Sequence, residues 1–410
     1  MKSALIIGGG IVGMNLALEL QGRGQDVTVA EAAPDELSAS LGNAGHIATE
    51  QADPIASWAT IRSTPGRLFP RGPVSLPGHS IREWLPFALR LARASRAKPF
   101  QQGRSALTSL VRQAVPAWHR RLTNLGASDL MREDGHYVVW ESDGSAARGK
   151  DSWRAANLGP ARIRDVTDDE LSELRALGQS SVVGGVRFEN TGQIADLPRL
   201  LALMRARFVE NGGRFLHAQI SALRTDAGVA ICQMADHPDL TAEAVVVCAG
   251  VRSRALLTPL RLNVPMIAER GYHIQSASHG WPAAFPPVVF EDRSIIVTSF
   301  ETGLRVAGFV EFSRAGAPPD SAKWRQLERH VRELGLPFGD LATAARWMGS
   351  RPTLPDYLPA LGRVSGTDNL YYAFGHNHLG LTLAAVTSEI MAEVIHGGPA
   401  PDAFCLERFQ

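Results

Sequence analysis

The sequence predicts an α/β protein in which one domain is built on a parallel sheet and a second, interleaved domain is built on an antiparallel sheet. A strand–turn–helix–strand unit opens the chain at 4–30, and an apolar run of the parallel-sheet type follows at 244–247. Short alternating segments at 288–290, 294–298 and 304–309 have the spacing of consecutive antiparallel strands. These observations place an antiparallel sheet inside a parallel α/β framework.

The opening unit contains a glycine-rich turn, Gly8-Gly9-Gly10-Ile11-Val12-Gly13. Gly8 permits the tight turn, Gly10 lets the backbone approach a pyrophosphate, and Gly13 lets the helix pack close to the sheet. The N–H groups at the start of the helix, at Ile11 and Val12, are expected to face the phosphates. This pattern is typical of a Rossmann-like dinucleotide site, and the alternative is a glycine-rich turn in another α/β unit.

Glu31 stands at the end of the second strand, 26–30. Its carboxylate can accept hydrogen bonds from both ribose hydroxyls and would repel a 2′-phosphate. The ligand is therefore expected to be FAD or NAD rather than NADP. A nicotinamide dehydrogenase usually completes its sheet in one block, whereas the second strong backbone turn of this chain comes only around Gly375. That order favours a flavoprotein over a protein that binds only a nicotinamide cofactor.

Composition excludes several other classes. The chain has 410 residues, of which 45% are hydrophobic and 20% charged, and its net charge of +1 gives no basic field for nucleic acid. The cysteines, Cys232, Cys248 and Cys405, are few and far apart, which indicates a reducing cytoplasm and no disulfide framework. No stretch of about 18 apolar residues is apparent, so we expect no transmembrane helix.

The remaining elements are less specific. Loops and short helices are predicted over 34–80, and a basic amphipathic helix over 81–98. That helix could lie on an anionic membrane at its inner face, and the alternative is a solvated face packed on its own domain. The further predictions are helices over 107–125, 197–211 and 379–396 and strands over 136–140 and 369–374.

Two C-terminal segments carry chemistry. In Ser350-Arg351-Pro352 the proline stiffens a turn, and a guanidinium held there could grip a substrate carboxylate through two parallel hydrogen bonds. The segment 375–382 follows a strand and opens a helix, so the positive end of its dipole could stabilise negative charge on a reduced flavin. His376 and His378 suggest a metal, but the sequence supplies no third ligand and we expect none. His46 could line the flavin.

With these motifs the chain resembles, nearly end to end, the FAD-dependent D-amino-acid dehydrogenase and glycine oxidase group of the D-amino-acid oxidase superfamily. The resemblance rests on an ordered set of motifs: Gly8 to Gly13 with Glu31, Ser40-Leu41-Gly42-Asn43-Ala44-Gly45, Gly184-Gly185-Val186, Arg270-Gly271-Tyr272, Ser350-Arg351-Pro352, and Gly375-His376 with Leu379-Gly380-Leu381-Thr382.

The resemblance implies extended FAD, a carboxylate anchor at Arg351, Tyr272 near the substrate, and transfer of hydride from Cα to flavin N5. Residues implied at the cofactor, besides the glycine turn and Glu31, are Ser40, Asn43, Ala44, Gly45, Gly375, Leu379, Gly380, Leu381 and Thr382. The apolar run at 244–247 ends near Gly250, where backbone could also approach the cofactor. The FAD-binding domain is then expected to comprise 1–50, 190–265 and 340–410, and the substrate domain 51–189 and 266–339.

Two departures bear on the substrate. The chain has Arg270-Gly271-Tyr272 where such dehydrogenases usually have Lys-Gly-Tyr, and it has His378 where they carry threonine or another residue. A Gly-His-x-His loop of this kind resembles enzymes acting on D-proline or 4-hydroxy-D-proline. A quinone or respiratory-chain acceptor is expected. The alternatives are an oxygen-using oxidase of the glycine or sarcosine type and a flavin subunit of a larger complex.

Overall fold

The computed structural model describes residues 2–32, 39–179, 181–234 and 238–410, so part of the predicted loop region 34–80 lies outside the described residues. The strands, in chain order, are β1 (Ser3–Ile7), β2 (Asp26–Ala30), β3 (His46–Ile47), β4 (Val74–Ser75), β5 (Met131–Arg132), β6 (His136–Trp140), β7 (Arg162–Asp165), β8 (Gly184–Glu189), β9 (Gly192–Ile194), β10 (Arg214–Leu216), β11 (Ile220–Asp226), β12 (Val229–Met234), β13 (Ala244–Val247), β14 (Ile267–Ser276), β15 (Val288–Phe290), β16 (Ile295–Phe300), β17 (Gly303–Ser313), β18 (Ala345–Thr353), β19 (Ala360–Arg363) and β20 (Leu370–Phe374).

The α-helices are α1 (Ile11–Gly22), α2 (Trp58–Ser63), α3 (Ile81–Ala94), α4 (Ala97–Leu125), α5 (Asp143–Ala155), α6 (Asp168–Ala176), α7 (Leu197–Glu210), α8 (Ser253–Leu257), α9 (Ser321–Glu333) and α10 (Gly380–Ile395). The predicted helix over 81–98 is interrupted, because α3 ends at Ala94 and α4 begins at Ala97. The helix predicted from 107 therefore starts about three turns earlier than its apolar spacing indicated.

The nucleotide-type sheet has six strands in the order β10-β2-β1-β13-β20-β19. Neighbours from β10 to β20 are parallel, and only β19 runs antiparallel to β20. Parallel strands end at the same edge of a sheet, so the residues that follow β1, β2, β13 and β20 meet there. These residues are Gly8, Glu31, the turn at Gly250, and Gly375.

The second sheet has nine strands in the order β18-β14-β17-β16-β15-β6-β8-β7, with β4 beside β17. The predicted run β15, β16, β17 is antiparallel, while β15 also pairs with β6 in parallel. A parallel Rossmann-like sheet and a mainly antiparallel sheet thus interleave along one chain, which confirms the predicted fold class.

Two elements depart from the predicted domain division. β18 (Ala345–Thr353) pairs with β14 along its whole length, so it belongs to the nine-stranded sheet although 340–410 was expected in the FAD-binding domain. Helix α4 packs on α10, and its Leu107, Trp118 and Leu122 are buried in the core beside β1 and α1. Both differences arise because strand pairing and helix packing join residues that lie on opposite sides of the predicted domain boundaries.

Helix α10 lies in the middle of this core, against α1 and α4. The stretch Asn377–Ile395 is long and apolar enough to cross a membrane, with a mean hydropathy of 1.3, contrary to the expectation that no such stretch exists. However, 72% of that window is buried inside the protein. A core helix buried on all sides passes the same test of length and composition, so the apolar stretch is explained by packing.

Candidate active site

In the glycine turn between β1 and α1, neighbouring stretches of backbone lie so close together that a side chain would not fit between them. Gly8 has φ of +111°, and a Cβ there would lie 2.6 Å from the carbonyl oxygen of Cys248. A Cβ at Gly13 would lie 1.9 Å from the Gly8 carbonyl oxygen. Gly10 precedes α1, whose first turn has no acidic residue, and the Ile11 N–H donates to Ser40 Oγ at 3.0 Å.

Glu31 lies directly beside this turn. Its Oε2 accepts a hydrogen bond from the Gly9 N–H at 2.5 Å, and its Oε1 accepts one from the Ala32 N–H at 3.0 Å. The carboxylate is therefore held at the carboxyl ends of β1 and β2, next to the start of α1. This is the position from which an acid can bind ribose while the helix N-terminus binds phosphate.

The segment that leads to His46 is fixed by an arginine from the other sheet. Asn43 Oδ1 accepts from the Gly45 N–H at 2.8 Å, while Arg305 on β17 donates from Nη1 to the Leu41 carbonyl at 3.0 Å and to the Asn43 carbonyl. Burial lowers the pKa of Arg305 to about 10, so the guanidinium remains charged at neutral pH. Sequence reasoning missed Arg305; its one signal was a basic residue inside an apolar strand.

The start of α10 packs against this segment. Thr382 Oγ1 accepts from the Ala48 N–H at 3.0 Å, which joins residues far apart in the chain. Gly375 has φ of +80°, and a Cβ there would lie 2.6 Å from Leu354 Cδ1. Leu379 and Leu381 are buried, and Ala44 is half-buried on the facing segment. The structure thus brings residues 46–48, which directly follow the predicted group 40–45, into contact with Thr382 of the predicted group 375–382.

The two histidines of the loop differ. His376 Nε2 lies 3.0 Å from Thr387 Oγ1, and burial lowers the pKa of this histidine to about 3. Both ring nitrogens of His378 are inaccessible and have no hydrogen-bond partner among the described residues. Burial, and secondarily the charge of Arg351, lowers the pKa of His378 to about 4, so the ring is neutral at pH 7. His376 is a core residue, whereas His378 keeps unused hydrogen-bonding capacity.

Arg351 lies on β18, in a strand rather than in the predicted turn, opposite Glu269 on β14. Its Nη1 donates to Glu269 Oε1 at 3.1 Å and to the Phe309 carbonyl at 3.3 Å. Glu269 is buried, and its Oε2 also accepts from Thr353 Oγ1 at 3.2 Å and from the Tyr357 hydroxyl at 2.9 Å. Glu269 and Tyr357 were missed in the sequence, although Glu269 directly precedes the Arg270-Gly271-Tyr272 motif.

Tyr272 is not close to this group, contrary to the prediction that it lies near the substrate. Side chains alternate between the two faces of a strand, so Glu269 and Arg351 share one face and Tyr272 occupies the other. The Tyr272 hydroxyl donates to Glu311 Oε2 at 2.9 Å and accepts from the Asp320 N–H at 3.1 Å, against α9. Its ring packs edge-on against Trp324 in the core under the sheet.

A second polar group lies beside the 40–48 segment. His46 Nε2 is 3.0 Å from Glu50 Oε1, and the His46 ring meets the His136 ring edge-on with 4.4 Å between centroids. One ligand-type atom from each of these residues lies within 4.8 Å of the others, so among the described residues this trio could hold a metal, whereas the sequence led us to expect no metal at all. Glu50 and His136 carried no signal in the sequence.

The residues present fit FAD. The close approaches at Gly8 and Gly13 hold the start of α1 tightly against β1 and β13, so the helix N-terminus is placed for a pyrophosphate, and Glu31 is placed for the ribose. The N-terminus of α10, at 375–382, is on the same sheet edge and can face the isoalloxazine. A group of extended shape can therefore reach from the start of α1 to the start of α10.

Comparisons with known proteins agree with this geometry. The family model described as FAD dependent oxidoreductase (DAO) matches residues 3–394. A curated D-amino-acid oxidase of Bradyrhizobium diazoefficiens is 27% identical over 410 residues, covering 97% of this chain and 95% of the relative. A D-amino acid dehydrogenase of Cereibacter sphaeroides is 28% identical over 412 residues, covering 96% of this chain and 91% of the relative.

Solved structures show the same fold. A glycine oxidase from Geobacillus kaustophilus superposes with a TM-score of 0.71 at 18% identity, covering 99% of both chains. An L-proline dehydrogenase from P. horikoshii superposes with a TM-score of 0.72 at 17% identity, covering 100% of this chain and 97% of the other. Since the family model spans nearly the whole chain, this protein belongs to the FAD-dependent oxidoreductase (DAO) family, with FAD as its cofactor.

Proposed function

We propose that this protein is a dehydrogenase of D-amino acids and cyclic D-imino acids of the D-proline and 4-hydroxy-D-proline type, and that its electrons pass to a quinone of the respiratory chain. The curated relatives named D-amino acid dehydrogenase support the reaction class. The observation that carries the proposal is the cationic position at Arg351, beside a neutral His378 at the start of α10.

Arg351 can bind a substrate carboxylate while it keeps its ion pair with Glu269. Both of its hydrogen bonds described above leave from Nη1, and the side chain is 29% exposed. A guanidinium has five N–H donors in a planar fork, so the remaining edge suits a bidentate carboxylate. The hydrogen bond to Glu269 fixes one edge of the Arg351 guanidinium, and it thereby sets the direction in which the free edge points.

The proposed reaction converts the substrate's Cα–N single bond into an imine, and water then hydrolyses the imine of an acyclic substrate. FAD, when bound, accepts the hydrogen and the electron pair from Cα. Arg351 holds the carboxylate and so fixes Cα, which is catalysis by orientation. The N-terminus of α10 adds positive partial charge at the cofactor side of the site.

His378 supports a substrate with a hydroxyl or a ring N–H group. A neutral imidazole offers one donor and one acceptor, and neither ring nitrogen of His378 has a partner among the described residues. A substrate hydroxyl can donate or accept a hydrogen bond, so it can pair with a ring nitrogen of His378 that would otherwise stay buried without a partner. This complementarity favours 4-hydroxy-D-proline over an aliphatic D-amino acid.

The test is a substrate panel with the FAD-loaded protein and an artificial dye acceptor. The panel contains D-proline, cis-4-hydroxy-D-proline, D-alanine, glycine, sarcosine and the L enantiomers, because solved relatives of this fold include an L-proline dehydrogenase and a glycine oxidase. We expect the cyclic D substrates to give the highest kcat/KM. Preference for an L enantiomer, or rapid peroxide formation in air, would contradict the proposal.

Helix α3 supports a membrane-bound acceptor. One stripe is buried with Tyr357 in a small apolar cluster and includes Phe87 and Trp84. The opposite stripe exposes Ile81 by 47%, Leu85 by 45% and Leu89 by 67%. Exposed basic residues flank this stripe: Arg82, Arg90, Arg93, Arg96 and Lys98. An apolar stripe with basic flanks fits the interface of an anionic bilayer.

We therefore expect the protein to float with vesicles of phosphatidylglycerol and phosphatidylcholine, and not with phosphatidylcholine alone. Leu89→Asp should weaken vesicle binding at least tenfold, because burying one leucine is worth about 1.5–3 kcal/mol. The matched control is Val209→Asp on α7, where the valine is also exposed, by 54%. Equal loss in both variants, or no binding by the unaltered protein, would refute a bilayer contact through α3.

A further inference from the structure

A pocket that holds the substrate's carboxylate at Arg351 must also accommodate its side chain. On strands β14 and β18, Gly271 lies directly opposite Gly349. The next pair on the same face is His273 with Trp347. Because side chains alternate along a strand, the Trp347 indole shares this face of the sheet with Arg351. A cation, a glycine pair and a tryptophan therefore follow one another across the face.

The glycine pair lets the two large side chains lie close to the sheet. A Cβ at Gly349 would lie 1.9 Å from Trp347 Cη2. A Cβ at Gly271 would lie 2.3 Å from Arg351 Nη2. Cβ positions directly opposite one another in an antiparallel pair are about 4.5–5.5 Å apart, so Trp347 Cη2 and Arg351 Nη2 are at most about 10 Å apart. The indole and the guanidinium thus lean towards each other over two residues without side chains.

The indole of Trp347 is fixed by its neighbours. Its ring stacks on the ring of His273, with 5.0 Å between centroids and 13° between planes. A Cβ at Gly42 would lie 2.1 Å from Trp347 Cζ2, so the segment 40–45 covers the same edge of the indole. The Trp347 carbonyl accepts a hydrogen bond from Trp324 Nε1 at 3.1 Å. The indole is therefore held in one orientation, although Trp347 is only half-buried.

The ring of His273 adds no positive charge beside the indole. Burial, and secondarily the charge of Arg305, lowers the pKa of His273 well below its usual value. Its Nδ1 lies 3.2 Å from the Gly42 carbonyl oxygen. The two stacked rings therefore form a neutral aromatic surface, which suits the apolar part of a substrate, whereas Arg351 suits its carboxylate.

The distance between the guanidinium and the indole limits the length of the substrate. A charge-assisted hydrogen bond takes about 2.8 Å at the Arg351 end, and a van der Waals contact takes about 3.5–4.0 Å at the Trp347 end. Only a few substrate atoms fit between them along that line. A cyclic imino acid folds its side chain back onto its own nitrogen and meets this limit, whereas a long or branched side chain does not.

We propose that the indole of Trp347 is the pocket wall that limits the size of the substrate's side chain; this inference rests on the proposed function. With the carboxylate on Arg351, the ring methylene groups of D-proline pack against the edge of the indole. A larger side chain, such as that of D-leucine, collides with the indole and is excluded. Trp347 is thus a specificity-determining residue, and the glycine pair lets it lie close to the carboxylate anchor.

The experiment compares kcat/KM of the FAD-loaded enzyme for D-leucine and D-proline with the dye acceptor. In Trp347→Ala the ratio of D-leucine to D-proline should rise at least tenfold, since one methylene group in an apolar pocket changes kcat/KM by about 10- to 200-fold. Trp347→Phe should give a smaller rise. Because a ratio of two substrates is independent of the amount of active enzyme, partial loss of FAD does not mimic this rise.

Gly349→Ala should act in the opposite direction, because its Cβ would push the indole off the sheet and into the space for the substrate. We expect kcat/KM for D-proline to fall at least tenfold in this variant. Adding Trp347→Ala to Gly349→Ala should restore the behaviour of Trp347→Ala alone, because no indole is left for the Cβ to displace.

The control is Trp153→Ala on α5, where the indole packs against Phe188 on β8, near the far end of the nine-stranded sheet. This variant should keep the unaltered ratio. An unchanged ratio in Trp347→Ala, or an equal fall for both substrates, would overturn the proposal and leave the proposed function standing. If Trp347→Ala retains no FAD, Trp347→Phe and Gly349→Ala decide. Failure of the unaltered enzyme to oxidise any panel substrate would contradict the proposed function and this inference with it.

Discussion

Arg351 and Glu269 meet across two strands because they are paired in register on β18 and β14. A buried carboxylate is costly unless hydrogen bonds and an opposite charge satisfy it, and Glu269 has Arg351, Thr353 and Tyr357 as donors. The group is therefore rigid. A rigid guanidinium loses little entropy when it binds a substrate carboxylate, which is the physical basis of an anchor.

Replacing Arg351 by alanine should remove the anchor and leave the buried Glu269 carboxylate without its cationic partner. We expect kcat/KM to fall by the equivalent of roughly 2–5 kcal/mol, the scale for truncating one partner of a buried charged contact. Arg351→Lys should recover only part of the loss, since an ammonium cannot bind a carboxylate bidentately. Dye-coupled kinetics measure both variants, and flavin absorbance confirms that FAD stays bound. Unchanged turnover in the alanine variant would remove Arg351 from the site.

Gly271 gives a second test, because it lies directly under the guanidinium of Arg351. A Cβ there would lie 2.3 Å from Arg351 Nη2, so Gly271→Ala should displace the guanidinium and raise KM for the substrate at least tenfold. The control is Gly316→Ala, where a Cβ meets no atom within 4 Å. Substrate titration of flavin reduction measures the effect. Equal affinities in the two variants would show that Arg351 has room to move without loss.

Among the secondary-structure elements, α1 packs directly against β1 because Gly13 has no side chain. Gly13→Ala would place a Cβ 1.9 Å from the Gly8 carbonyl oxygen and push the helix N-terminus away from the glycine turn. We expect FAD to be lost on gel filtration and the melting temperature to fall.

The matched control for Gly13→Ala is Gly22→Ala on the same helix, where a Cβ has open space. This variant should keep FAD and gain slightly in stability, since alanine is the better helix former by about 1 kcal/mol. A yellow, fully loaded Gly13→Ala protein would show that the turn does not need its close approach.

For the whole molecule, several buried histidines predict how stability depends on pH. Burial lowers the pKa of His376 to about 3, and burial lowers that of His136 to about 3 as well. Unfolded, each titrates near 6.5, so below this pH the unfolded chain binds more protons than the folded one. The free energy of unfolding should therefore fall as pH drops from about 6.5 towards 4, by at most about 1.4 kcal/mol per pH unit for each histidine.

Thermal unfolding at a series of pH values measures this slope. His376→Asn keeps a polar side chain beside Thr387 and removes one titrating group, so its stability curve should be flatter over the same range than that of the unaltered protein. Curves of equal slope would mean that His376 is not buried as a neutral ring.

FAD binding should stabilise the molecule as a whole, because the cofactor site joins the start of α1 to the start of α10. With free FAD at a hundred times its Kd, mass action predicts a gain of about 2.7 kcal/mol. Removing FAD by chaotrope and refilling it should lower and restore the melting temperature. Equal melting temperatures with and without FAD would contradict a site that spans these elements.

The sequence alone determined the nucleotide unit and the family. The strand, glycine turn, helix and acid at 3–31 are local features, fixed by backbone geometry and short-range periodicity, and the structure has β2 at the predicted bounds. The segments 40–45 and 375–382 were also recognisable, since motifs in a fixed order carry information without any contact between them.

Only the tertiary structure decided which side chains face one another. Pleat alternation and the register of β14 with β18 put Glu269 beside Arg351 and turned Tyr272 to the opposite face. The pairing of β6 with β8 and of β3 with β9 likewise brought His136 to His46, which lies ninety residues earlier in the chain. Register and strand order depend on contacts between distant segments, and no local pattern along the chain encodes those.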